Sequence, residues 1–305
     1  MSTFFRALER AEHDRALRQP APPPAAVSEP TTSPVPQEVE APRASPFSRP
    51  PVEATRRVPE PELTAEIDGH LVSLLAPASF GAEQYRALRH QIEQLRRTTD
   101  LSVIAVSSPD TADGKTTTAI NLAGALAQAP DARVLLIDAD LRAANLVAQL
   151  GLAESAARGL VDAILDPSLR LGAVTQSLAH LNLSVLPAGR RPSAPYEVLK
   201  SPRVVELLAE ARRAYDYVIV DTPPLVSVPD SRIIGKWVDG FLIVVAADRT
   251  PRRLLEEALN LLEPAKIVGM VFNGDDRHLS RGSYASRRWR GFPNGSRKRH
   301  AASDE

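Results

Sequence analysis

Between the apolar run Leu101 to Val106 and the helical pattern Thr118 to Ala127 lies Ser107-Ser108-Pro109-Asp110-Thr111-Ala112-Asp113-Gly114-Lys115-Thr116-Thr117. A strand, a loop and a helix in that order make a cradle for phosphate. Negative phosphate oxygens need backbone N–H groups at a helix N-terminus, a lysine charge, and a hydroxyl able to ligate magnesium. Gly114, Lys115 and Thr116 supply these in turn, with Asp113 and Thr117 flanking them. The phosphate-loop pattern has a glycine five residues before Gly114, and here that residue is Pro109. Further carboxylates complete the set. The apolar run Arg133 to Ile137 ends in Asp138 and Asp140, and Tyr215 to Val220 ends in Asp221-Thr222-Pro223-Pro224.

Each of these apolar runs reads as a buried parallel strand. Ligands bind at the carboxyl ends of strands in open parallel sheets, so Asp138, Asp140 and Asp221 should converge on Lys115. Hard oxygen ligands would then surround a magnesium ion and a terminal phosphate. A lone aspartate at a strand end is more often an N-cap or turn residue. Three of them after a phosphate loop reverse that balance. Continuing along the chain, the pattern predicts helices over 81–97, 115–128, 142–150, 158–165, 195–199, 202–213 and 251–262. Strands are expected over 102–107, 133–137, 182–187, 216–221, 240–246 and 266–272. Strands alternating with helices, each strand nearly all apolar, imply an α/β fold with a mostly parallel sheet covered on both faces.

Composition agrees with one sizeable α/β core carrying tails, at 305 residues with 43% hydrophobic and 24% charged residues. There is no cysteine, which excludes thiolate-held clusters, thiolate zinc and disulfides. No apolar stretch approaches a bilayer span, and Met1 to Arg10 lacks a signal-peptide core, so a cytoplasmic protein is expected. Residues 1–18 carry a Phe4, Phe5, Leu8, Ala11 stripe and read as a short amphipathic helix. Thirteen of the 27 prolines fall between Gln19 and Leu63, so residues 19–76 are expected to be a disordered linker. The domain is placed at 77–276. Residues 277–305 read as a basic, solvated tail containing Tyr284, with no nucleic acid expected as its ligand.

These motifs resemble those of the bacterial tyrosine kinases, cytoplasmic ATPases of capsule and exopolysaccharide export systems. The resemblance covers about Ala82 to Asp275 and rests on Gly114-Lys115-Thr116, on Asp-x-Asp-x-Arg at Asp138 to Arg142, and on Asp-Thr-Pro-Pro at Asp221. It also includes Glu83, Arg86 and Arg89 in a Glu-x-x-Arg-x-x-Arg helix, and Leu186-Pro187-Ala188-Gly189 before Pro195 to Leu199. It implies a P-loop NTPase of the deviant Walker A class shared with positioning ATPases, with ATP and magnesium as cofactors. It further implies nucleotide contacts from Asp113, Gly114, Lys115, Thr116, Thr117, Arg142 and Asn273, the last near adenine. Magnesium would be held by Thr116, Asp138, Asp140 and Asp221. One of Asp138 or Asp140 would accept the tyrosine proton. Glu83, Arg86 and Arg89 would join subunits in a ring, and the cytoplasmic segment of a membrane chain-length protein would be the activating partner, leaving membrane contact indirect.

One departure stands out. Relatives usually carry a C-terminal tyrosine cluster, and this tail offers only Tyr284. Two other readings therefore stay open. One is an ATP-controlled scaffold without kinase activity. The other is a positioning ATPase, although the residue five before Lys115 is Asp110 where that class typically has a lysine.

Overall fold

The computed structural model describes residues 67–152, 158–178 and 181–274. The chain separates into two units, 1–55 and 56–305, and every described residue lies in the second. The expected N-terminal helix, most of the linker, and the tail with Tyr284 fall outside the described residues.

In chain order the elements are α1 (Val72–Leu75), α2 (Phe80–Thr98), β1 (Val103–Ser107), α3 (Lys115–Ala127), β2 (Val134–Asp138) and α4 (Leu146–Gln149). They continue as α5 (Leu160–Leu165), α6 (Leu171–Val174), β3 (Gln176–Leu178), β4 (Leu183–Leu186), α7 (Pro195–Leu199) and α8 (Arg203–Ala214). The last are β5 (Tyr217–Asp221), α9 (Asp230–Ile234), β6 (Gly240–Ala246), α10 (Arg252–Asn260) and β7 (Ile267–Asn273). The sheet order is β3-β4-β2-β5-β1-β6-β7. All pairings are parallel except the short edge pair β3–β4. Every residue of β1, β2, β5 and β6 is buried, which explains why these strands read as continuous apolar runs rather than alternations.

Helix α3 is buried almost throughout, only Thr117 being partly open, so it needs cover on the side facing away from the sheet. Residues 67–76 and α2 provide it. Ser73 N–H donates to Asn121 Oδ1 at 2.8 Å, Asn121 Nδ2 donates to the His70 carbonyl at 3.0 Å, and Leu71 is fully buried. A Cβ on Gly124 would come within 2.7 Å of the Leu74 side chain, so any larger residue there would make Leu74 of α1 shift. The end of the expected linker, 67–76, is thus folded onto the domain. Its contribution is a few apolar residues and backbone hydrogen bonds, with no periodicity to announce it.

Helix α2 starts at Ser79, whose side chain accepts from Ala82 N–H at 3.2 Å, and ends with Arg96 and Arg97 in its last turn, both placements that suit the helix dipole. Beyond Asp140 the expected helix 142–150 shrinks to Leu146–Gln149. The side chains of Asp140 and Asp138 take the N–H groups of Ala143 (3.1 Å) and Leu146 (3.4 Å), which holds residues 140–145 in a turn. Elements α6, β3 and α9 were not expected from sequence, each being at most five residues long.

Candidate nucleotide and phosphoryl-transfer site

The strand order sets neighbouring carboxyl ends side by side. Asp138 at the end of β2 stands in register with Asp221 at the end of β5, and Asp221 with Val106 of β1. The loop leaving β1 enters α3 at Lys115, so four elements meet at one edge. Gly114 takes φ +94°, and a Cβ there would lie 2.0 Å from Asn273 Nδ2, so only glycine fits. Among the described residues, the N–H groups of Asp113, Gly114, Lys115 and Thr116 have no hydrogen-bond partner. They are the free donors expected at a helix N-terminus.

Lys115 is 8% exposed. Its Nζ donates to Asp140 Oδ2 at 2.7 Å and stands 4.0 Å from Asp221 Oδ1. Thr116 Oγ1 donates to Asp221 Oδ2 at 2.7 Å, and Asp138 Oδ1 accepts from Asp140 N–H at 3.2 Å. Burial alone would lower the lysine pKa, but the charges of Asp221 and Asp140 outweigh it and the ammonium is held more firmly protonated than usual. Asp138 is pushed up to about 8, first by desolvation and then by the charges of Asp221 and Asp140. Asp221 rises to about 6 through complete burial, which Lys115 and the Thr116 hydroxyl only partly offset.

A stability consequence follows. A carboxyl whose pKa is raised on folding binds more protons folded than unfolded, so stability declines as pH rises through the window between the two values. For Asp138 that window runs from 3.8 to about 8; its penalty is absent below and complete above. The thermal midpoint of the nucleotide-free chain should therefore fall between about pH 5 and about pH 9, and Asp138→Asn should flatten the fall. A midpoint that climbs over this range would contradict the buried, mutually repelling cluster.

The residues suit magnesium. Asp221 Oδ1 is buried without a hydrogen bond, while Thr116 and the Asp138, Asp140 and Asp221 carboxyls are hard oxygen donors. Among the described residues, no group of three or more His, Cys, Asp or Glu is arranged to hold a metal unaided. That is the usual situation for magnesium, which takes one or two carboxylates and keeps positions for water and substrate phosphates.

Other expected site residues are already engaged. Asp113 Oδ1 accepts from the Thr250 hydroxyl at 2.8 Å, and Thr117 Oγ1 donates to Gln149 Oε1 at 3.1 Å. Asn273 Nδ2 donates to the Asp113 carbonyl at 3.0 Å, leaving its Oδ1 and second N–H for a base. Arg142, expected at the nucleotide, is held by buried Asp230 through bonds of 2.8 and 3.0 Å from its Nε and Nη2. Asp230, Arg249 and Thr250 had no place in the sequence reading. The only local signals were Pro229 and Pro251 beside them at helix starts.

Arg86 and Arg89 do not simply face outward. Arg86 pairs with Glu83 and the Pro77 carbonyl, and its Nε reaches Gln128 Oε1 at 3.4 Å. Arg89 Nη1 donates to the Ala125 carbonyl in the last turn of α3 at 3.0 Å, with Glu93 on its Nε at 2.6 Å. Both arginines thus also contribute to packing within the chain, while Glu83 remains exposed.

Comparison with known proteins fits this geometry. A family model described as an AAA domain matches residues 101–253. The tyrosine-protein kinase YwqD of Bacillus subtilis is 34% identical over 222 residues, 72% of this chain and 92% of that protein. The succinoglycan biosynthesis transport protein ExoP of Rhizobium meliloti is 35% identical over 66% of this chain, which spans only 26% of ExoP. The kinase domain of the Escherichia coli tyrosine kinase ETK superposes with a TM-score of 0.62 at 28% identity, covering 72% of this chain and 84% of that domain. No helix among the described residues is long and apolar enough to cross a membrane. With its P-loop ATPase sheet, its lysine set among three strand-end carboxylates and this kinship over most of its length, the chain belongs to the bacterial tyrosine-protein kinase family.

Proposed function

We propose that this protein is an ATP-dependent tyrosine autokinase that regulates exopolysaccharide or capsule polymerisation and export together with a membrane chain-length protein. The observation that supports this most is the convergence of Lys115, Thr116, Asp138, Asp140 and Asp221 beside unpartnered loop N–H groups. In this reading, Lys115 and the N–H groups of Asp113 to Thr116 bind the β- and γ-phosphates. Thr116 would ligate magnesium directly and Asp138, Asp140 and Asp221 would hold it largely through water, the ion when bound supplying positive charge against the phosphate oxygens. Asn273 meets adenine with its unused amide groups. Asp138 takes the phenol proton, since Asp140 is already paired with Lys115 at 2.7 Å. Water in place of the phenol would give slow ATP hydrolysis.

Labelled ATP with magnesium, added to the full chain with and without the partner's cytoplasmic segment and followed by phosphopeptide mapping, tests the proposal. Label should appear on Tyr284, and Tyr284→Phe should remove most of it. Two of the four domain tyrosines are poor acceptors. Tyr217 is buried at the start of β5 under Arg96, and the Tyr85 phenol lies against Thr118 and Asn121, with burial raising its pKa. Absence of phosphotyrosine with the partner present would favour the ATP-controlled scaffold, a reading that the lone tail tyrosine already supports.

Ring assembly through α2 is part of the same proposal. Arg86→Ala with Arg89→Ala should shift an oligomeric parent toward monomers in sedimentation. Because Arg89 also binds the end of α3, a modest fall in thermal midpoint should accompany the shift. An unchanged mass would refute the interface.

A further inference from the structure

The loop that precedes Lys115 is gripped from behind by the connection between β6 and α10. Thr250 Oγ1 accepts from Ala246 N–H at 2.9 Å, so its single proton is committed to Asp113 Oδ1 at 2.8 Å. Asp113 Oδ2 in turn accepts from Asp110 N–H at 3.1 Å, which ties the two limbs of the loop together. Alongside, Arg249 Nη2 donates to the Ala112 carbonyl at 2.9 Å and Asn273 Nδ2 to the Asp113 carbonyl at 3.0 Å. The turn so held contains Ala112 at φ +59° and Gly114 at φ +94°. A non-glycine residue in that region is strained and persists only where its surroundings hold it.

The consequence for the loop is directional. In a trans peptide the C=O and the following N–H point opposite ways. Fixing the Ala112 and Asp113 carbonyls onto Arg249 and Asn273 therefore turns away from those two side chains the Asp113 and Gly114 N–H groups. Those are two of the unpartnered donors.

We propose that Thr250 is a positioning residue for triphosphate binding, acting through Asp113 to hold the Ala112–Gly114 turn, with Arg249 as its auxiliary. The inference rests on the reading of this loop as the phosphate site. A hydroxyl bonded to a carboxylate and an N–H is not replaced by valine, which has the same shape but can do neither.

The test is the affinity of the full-length chain for a methylanthraniloyl-labelled ATP with magnesium, read by fluorescence, together with KM and kcat for ATP. Thr250→Val should weaken binding and raise KM about tenfold, with kcat changed less than about threefold, while Thr250→Ser stays within about twofold of the parent. Arg249→Ala, altering an exposed side chain, should fold normally and weaken binding by about threefold. Parent-like affinity in Thr250→Val, or equal losses in the valine and serine variants, would overturn the proposal, since the hydroxyl would then not be what matters. Should Thr250→Val fail to fold, an unchanged affinity in folded Arg249→Ala overturns it instead. Failure of the underlying reading looks different: Lys115→Met would then bind the labelled nucleotide as well as the parent does.

Discussion

Lys115→Met is expected to lower phosphoryl transfer at least about a thousandfold, because phosphoryl transfer depends mostly on positioning and on charge set against the phosphate oxygens. The fold around the lysine adds a second effect. In the nucleotide-free chain this ammonium is the cation nearest to three buried carboxyls, bonded to one and 4.0 Å from another. Removing it leaves Asp138, Asp140 and Asp221 to repel one another, and they can relieve the repulsion only by taking up protons. The variant should therefore be folded at mildly acid pH and lose stability on alkalinisation more steeply than the parent. Labelled phosphate transfer and thermal midpoints at several pH values check both parts. Undiminished turnover would remove Lys115 from the phosphate site.

Asp138→Asn should lower kcat by about a hundredfold to ten-thousandfold, the usual range for loss of a general base, with a much smaller change in nucleotide affinity. Asparagine keeps Oδ1 for the Asp140 N–H and gives up only the longer bond that Oδ2 accepts from the Leu146 N–H at 3.4 Å, so the turn after β2 should loosen slightly and survive. In the parent the rate should rise with pH as Asp138 ionises, and the variant should lack that limb. The corresponding change at Asp140 alters the partner of Lys115 and should appear chiefly in KM. If Asp138→Asn keeps the parent's pH–rate profile, the base is another group.

The strands that carry the chemistry were legible because the sheet buries them on both faces. An unbroken apolar run ending in aspartate is a strong signal, and β2 and β5 lie where it falls. Gly114-Lys115-Thr116 was legible for a similar reason, since few other contexts require those three residue types in succession between a strand and a helix. The supports behind the site were not. Asp230 and Thr250 act by hydrogen bonds to residues 88 and 137 positions away, and no local pattern records such pairings. The arginines of α2 show the opposite problem. Their spacing was visible, but spacing alone does not tell an assembly face from contacts to the Ala125 and Pro77 carbonyls. Residues 67–76 escaped notice because their ordering depends on the uncovered side of α3 rather than on any propensity of their own.

The last strand runs out beside the phosphate loop: Asn273 touches Asp113, and Gly274 follows at φ +71°. The chain that follows Gly274 therefore starts from beside that loop. Tyr284 comes ten residues after Gly274, so its anchor allows it to lie no farther than about 35 Å from that point even at full extension. A short tether of this kind corresponds to an effective concentration in the millimolar range. Dilution would separate subunits without lowering that local concentration. If attack occurs within one chain, label incorporation per molecule will be independent of protein concentration; if it needs a neighbour, the rate will fall with dilution.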